Sequence, residues 1–254
     1  MSQVLAVALG VFVAVALSVA ACSIRPAWRR HIVVAAPVTL GLASLVGAWL
    51  LLSDVALLAG AGGTSLAVAW TLGGAAANPW VTAGVLVACG LAARAAFRAE
   101  SLILRWVSRM KKPRSGALPA ELLALNLPER AETMSEVGRT AARPGRYWSV
   151  SLLAVAGEES LFRVAMPVVL VLLGFPVWVA IVVPAALYAV NHIGFGLASV
   201  LGKLLFGVVL GCGAWAAGAL FVSAPIHLLY QSWVRRQFVS RKPGRPARIK
   251  ETVE

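Results

Sequence analysis

The chain has 254 residues, of which 60% are hydrophobic and 13% charged, and its mean hydropathy of +0.84 is too high for a soluble domain of that size. The net charge of +13 does not point to nucleic acid, because Lys and Arg gather in short clusters between apolar runs and no nucleic-acid motif accompanies them. Composition therefore predicts a protein embedded in a lipid bilayer, with basic clusters setting its topology.

In chain order, Val4 to Cys22 is an almost unbroken run of Val, Ala and Leu, about the length that crosses the hydrocarbon core. The small residues before Cys22 look like a lipoprotein cleavage box, yet no Lys or Arg precedes the run, while Arg25, Arg29 and Arg30 follow it. That polarity is the reverse of a cleaved export signal, so the expectation is an uncleaved first helix with its N-terminus outside. A second span is expected over Ile32 to Leu52. The Gly- and Ala-rich stretch from Val55 to Asn78 is ambiguous, reading as a short helix pair, a re-entrant piece or one weak span. Asn78-Pro79 marks a break, and Trp80 is placed to anchor an interface before a clean run from Val81 to Ala93. The cations from Arg94 to Arg114 that follow predict the cytoplasmic side.

Between Phe97 and Arg146 the composition turns polar, divided by Pro113, Pro119, Pro128 and Pro144. A cytoplasmic loop is expected there. Glu100 to Arg109 reads as an interfacial helix, with Leu102, Ile103 and Trp106 on a face opposite Arg105 and Arg109. Apolar spans resume at Ser149 to Leu173, Pro176 to His192, Leu197 to Ala217 and Ala219 to Val234. Alternating these spans from the cytoplasm returns the basic tail, Arg235 to Lys250, to the cytoplasm. The fold class is all-α, a polytopic membrane helix bundle of about seven transmembrane helices (six to eight). Its expected divisions are 1–97 for the N-terminal helices, 98–147 for the basic loop, 148–238 for a functional bundle and 239–254 for the tail.

Polar residues inside these spans carry the functional signal. Glu158 and Glu159 stand together in an apolar run, and His192 and His227 both fall in the last spans. An ionisable side chain near a bilayer centre costs at least ~2.5–3.5 kcal/mol on insertion scales, so it normally faces a bundle interior or a watered cavity and has a task there. Glu159 and Arg163 are four apart with the acid N-terminal, which predicts a pair within the helix. Glu158 is about 100° round the helix and is left as a candidate general base. Tyr188 and His192, like His227 and Gln231, project in pairs from single helix faces. An imidazole beside an amide can donate to an oxyanion, or with a carboxylate and a second imidazole can ligate a metal. A lone His near a helix end is more often a packing residue. Cys22, Cys89 and Cys212 have no metal-ligand spacing.

The ordered set Glu158-Glu159-x-x-x-Arg163, Tyr188-x-x-x-His192 and His227-x-x-x-Gln231, with Ala219-Leu220-Phe221 and Pro225 leading into the third motif, resembles the CAAX-type prenyl endopeptidases and their bacterial relatives, the CPBP (Abi) family of intramembrane proteases. The resemblance covers roughly Trp148 to Trp233. It implies that Glu158 and His192 activate water, that His227 and Gln231 stabilise the oxyanion, and that Glu159 and Arg163 are a structural ion pair. Family relatives have been described both as metal-dependent, which would make Glu158, His192 and His227 the ligands of a divalent metal such as zinc, and as glutamate-dependent proteases requiring no cofactor. No HExxH signature is present. Where the family's third motif usually has Asn, this chain has Gln231. The extra methylene moves the amide by up to ~1.5 Å, and a misplacement of about 1 Å can cost ~100-fold in rate.

The expected function is thus an intramembrane endopeptidase in a cell membrane, acting on a membrane-associated peptide or protein, with the lipid bilayer as its other partner and no nucleic acid. The alternatives are a catalytically inactive relative serving as a membrane scaffold or immunity protein, and a small transporter or proton relay. The latter lacks the repeat symmetry and paired broken helices of transporters. High Ala, Gly, Val and Arg usage suggests a bacterial source.

Overall fold

The computed structural model describes residues 2–24, 39, 78–109 and 137–239. The expected second span, the Gly-rich stretch up to residue 77, the Pro-divided loop over 110–136 and the basic tail lie outside them. All regular elements among the described residues are helical.

Helix α1 is Ser2–Ile24 and α2 is Pro79–Arg109. Asn78 caps α2: its side-chain oxygen accepts from the backbone N–H groups of Trp80 at 3.1 Å and Val81 at 3.4 Å, satisfying donors that a helix start leaves open. Pro79 fits the first helical position because its missing N–H would have had no partner there. The helix then runs through residues 97 and 98, where a loop was expected to begin, without a break. The clustered arginines suggested a boundary, but Ala, Leu and Arg are strong helix formers and nothing in Phe97 to Arg109 stops propagation. Glu100 to Arg109 is thus the end of a long helix rather than a separate interfacial one.

Helix α3 (Pro144–Glu159) continues through a π-helical turn, Ser160–Ala165, into α4 (Met166–Leu172). After a turn at Gly174 come α5 (Val177–Val190), a 3-10 turn at Ile193–Phe195, and α6 (Leu197–Ala217). A second π-helical turn, Ala219–Ser223, opens α7 (Ala224–Val239).

Both π turns have the same local cause. Each precedes a helix whose second residue is proline, Pro167 in α4 and Pro225 in α7. Proline supplies no N–H to the carbonyl four residues back, here Arg163 and Phe221, and its ring needs room against that carbonyl. Switching to i→i+5 pairing provides the room. A serine hydroxyl back-bonds within each region, Ser160 to Ala156 O at 2.6 Å and Ser223 to Ala219 O at 3.0 Å, which further loosens regular pairing.

Helix α6 is the central strut, packed against both α2 and α5. Glycine makes the close approach possible. A Cβ on Gly207 would come within 3.1 Å of Ala185 Cβ, and one on Gly211 within 2.9 Å of Ile181 Cγ2, the small-residue packing typical of apolar helix pairs. The main core joins Phe12 of α1, Phe97 of α2, Phe162, Tyr188, Phe206, Leu210 and Ile226.

The polarity of α6 is inside-out for water. Lys203 is buried while Leu201 and Leu205 stay exposed. Trp80, Val87, Leu91, Trp178, Trp215 and Phe221 also face outward, a surface suited to lipid. Two helices among the described residues are long and apolar enough to cross a membrane, over Pro79–Ile103 and Leu197–Ala217, with shorter apolar segments at Ala6–Ala20 and Val177–Val190.

Candidate active site

The last residues of α3 and the first turn of α7 meet at His227, which is fully buried. Its Nδ1 lies 2.7 Å from Glu159 Oε1 and its Nε2 lies 3.5 Å from Glu158 Oε2. An ionised carboxylate only accepts, so at 2.7 Å the Nδ1–H of His227 donates to Glu159. That bond fixes the tautomer and turns Nε2 toward Glu158, the way a buried acid orients the imidazole of a catalytic triad. Gln231, one helical turn on, places its side-chain nitrogen 3.5 Å from the same Nε2.

The expected pair between Glu159 and Arg163 is not formed as a direct contact among the described residues. Glu159 engages His227 instead, and Arg163 donates to Phe162 O at 3.3 Å. The π-helical turn begins between the two residues, and its i→i+5 register removes the regular helical geometry on which four-residue pairing depends. Arg163 is buried and lies over the Tyr188 ring at 4.9 Å.

His192 sits just past α5. Its Nδ1 donates to Tyr188 O at 3.0 Å, which leaves Nε2 as a proton acceptor. The Tyr188 ring bridges the two imidazoles, 4.8 Å from His192 and 6.0 Å from His227 between centroids. Glu158 and His192 have no direct contact among the described residues, so the expected pair is not formed there. Gly196, with φ of 92°, takes the left-handed backbone that turns the chain from the 3-10 turn into α6.

Three further polar residues surround the centre, and none carries a sequence motif. Lys203 Nζ lies 3.7 Å from the Tyr230 ring centroid and 5.5 Å from that of Phe206. The Tyr230 hydroxyl donates to Glu100 Oε2 at 2.9 Å. Phe206 ties this group to the site, with its ring 5.4 Å from His227 and 4.5 Å from Tyr230. A lysine in the middle of an apolar span was a readable signal by the same cost argument that singled out Glu158. Glu100 is hidden because the cations around it read as a separate interfacial helix rather than as the end of the span.

The donor set does not fit a metal. Among the described residues no group of three His, Cys, Asp or Glu side chains is arranged to hold an ion. His227 faces Glu159 through Nδ1 and Glu158 through Nε2, and the expected ligands Glu158, His192 and His227 are not gathered into such a group among the described residues. Cys89 and Cys212 are free thiols. No step below is routed through a metal.

A histidine clasped by buried Glu159 and half-buried Glu158, on helices with apolar outer faces, defines a helical protein with an internal cluster of ionisable side chains. Residues 142–233 match the family model described as type II CAAX prenyl endopeptidase Rce1-like. The resemblance read from the three motifs is therefore shown over that segment, which holds α3 to α7 apart from the last residues of α7, while α1 and α2 lie outside it. No curated protein and no solved structure matches the chain.

Proposed function

We propose that the protein is an intramembrane endopeptidase, a polytopic bundle that hydrolyses a peptide bond in a membrane-associated peptide or protein. The observation that carries this reading is His227 held between Glu158 and Glu159 with the Gln231 amide beside it.

In the proposed reaction Glu158 takes a proton from water, and the hydroxide formed adds to the substrate carbonyl. The Gln231 amide donates to the developing oxyanion, and His227 sits beside it with its ring held by the Nδ1–H bond to Glu159. When the C–N bond breaks, the proton held by Glu158 passes to the leaving amine, so protons balance over the cycle. His192, with its free Nε2, helps place the attacking water. Arg163 and Lys203 offset the charge of Glu158 and Glu159, which would otherwise be too costly to desolvate together. Buried polar atoms of Glu158, Glu159, Arg163, Tyr188 and Asn191 have no hydrogen-bond partner among the described residues. Such concentrations occur where water or substrate binds.

In the proposed topology the N-terminus is outside and the C-terminus cytoplasmic, with about seven spans. Purified protein in detergent should cleave membrane-tethered peptides, and Glu158→Ala should abolish that cleavage. Wild-type rates in Glu158→Ala would end this mechanism. The second reading, a catalytically inactive scaffold or immunity protein, is favoured only by Gln231 standing where relatives have Asn. It predicts that Glu158→Ala and His227→Ala keep the cellular phenotype while changes to outward-facing side chains lose it.

A further inference from the structure

The amide of Gln231 is useful to an oxyanion only if its NH2 group, and not its carbonyl, faces the site. Gln carries one more rotatable bond than Asn and can also flip end for end, so something must hold it. The geometry points to Tyr147 as that positioning residue.

Tyr147 is buried in the first turn of α3. Pro144 starts this helix, and the Tyr147 N–H donates to Arg143 O at 2.9 Å, so the ring is carried by a fixed helix start. Its hydroxyl reaches 84 positions along the chain to one residue, lying 2.7 Å from Gln231 O and 3.2 Å from Gln231 Oε1. A phenol has a single proton to donate, and both facing atoms are acceptors. The proton is therefore shared between the main chain and the side chain of Gln231. Because Oε1 is drawn toward Tyr147, Nε2 is left on the side of His227, at 3.5 Å. The extra methylene of Gln231 is taken up by this anchor and does not push the amide past the site. Tyr147 thus makes a Gln serviceable where relatives use Asn, and it touches neither substrate nor the reacting atoms.

The kinetic consequence rests on the protease reading, while the structural one does not, and the test separates them. The chain contains three glutamines, Gln3, Gln231 and Gln237, so side-chain 15N labelling of Gln in the full-length protein gives three NH2 signals. Gln231→Asn identifies the one belonging to residue 231. In the wild type this signal should stand apart from those of exposed amides, and in Tyr147→Phe it should move to the exposed-amide position.

In cleavage of a membrane-tethered reporter peptide, Tyr147→Phe should lower kcat about tenfold, the scale of one lost hydrogen bond. KM should stay within about twofold, because the interaction serves the transition state. The double variant Tyr147→Phe/Gln231→Ala should be no slower than Gln231→Ala. In a Gln231→Asn background, where the shorter side chain no longer needs the anchor, Tyr147→Phe should cost nothing more. An unmoved Gln231 signal in Tyr147→Phe, or losses that multiply in the double variant, overturns the assignment. If the wild type cleaves no reporter but the signal moves, the protease reading fails and the positioning role stands. If the wild type cleaves and the signal stays, the reverse holds.

Discussion

Two kinds of helix make up this molecule, and the contrast between them locates the site. Helix α6 is regular from Leu197 to Ala217 and works through close packing, with Gly207 and Gly211 against α5. The α3–α4 rod is interrupted by one π-helical turn and α7 is opened by another, and these are the helices that bring Glu158, Glu159 and His227 together. A regular helix repeats its side-chain directions every turn. The widened turn re-aims them, which is why such turns recur at functional sites. The clustered Glu158, Glu159 and His227 lie on the irregular elements, and close packing on the regular one.

The sharpest way to break that contrast is at its meeting point. His227→Ala removes the partner of buried Glu159 and half-buried Glu158, and the loss of cleavage should reach about 10²–10⁴-fold, as for removal of an acid–base or oxyanion group. Uncompensated buried charge should also destabilise the fold by about 3–5 kcal/mol, read as a lowered melting temperature in detergent. Leu205→Ala, on the exposed side of α6, should change neither. Comparable losses from Leu205→Ala would erase the distinction.

Next come the prolines. Pro225→Ala or Pro167→Ala allows the neighbouring turn to relax toward regular α-helix and shifts His227 or Glu158 by a fraction of a turn. A displacement of about 1 Å is expected to lower kcat by up to ~100-fold, with little loss of stability because each substitution restores a missing backbone donor. Unchanged kcat in both variants would show that the π-helical turns do not aim the site. A smaller and opposite pattern is expected from Gly211→Val on α6, which meets Ile181 at 2.9 Å. It should cost about 1–3 kcal/mol of stability through overpacking and leave kcat per folded molecule nearly unchanged. The smallest effect is reserved for Glu100→Gln, which keeps an acceptor for Tyr230 but loses the charge-assisted bond, at about 1 kcal/mol.

The same contrast explains what could be read in the sequence. The bounds of α6 follow directly from an apolar run closed by Gly196 and Gly218, and α5 departs from its expected span only by end residues. Glu158, His227 and Gln231 were legible as a group because isolated polar residues in apolar spans have few structural explanations. The partner of Glu159 was misread, since four-residue pairing presumes a regular helix and the chain widens at Ser160. The clue is present in Pro167, two residues beyond the turn. Lys203 carries no motif within its apolar run, and the clustered cations around Glu100 read as a separate interfacial helix rather than as the end of a span. Tyr147 offered no signal at all, because nothing local to a tyrosine at a helix start reveals a bond to a residue 84 positions away.

The central claim is that Glu159 is held by His227 and not by Arg163, which frees Glu158 to act as the base. Double-mutant cycles on unfolding stability test it directly, combining Glu159→Gln with His227→Gln in one cycle and with Arg163→Met in the other. The account predicts a coupling of about 1–3 kcal/mol between Glu159 and His227, the range for residues in one buried network, and a distinctly smaller one between Glu159 and Arg163. The reverse order of couplings would contradict it.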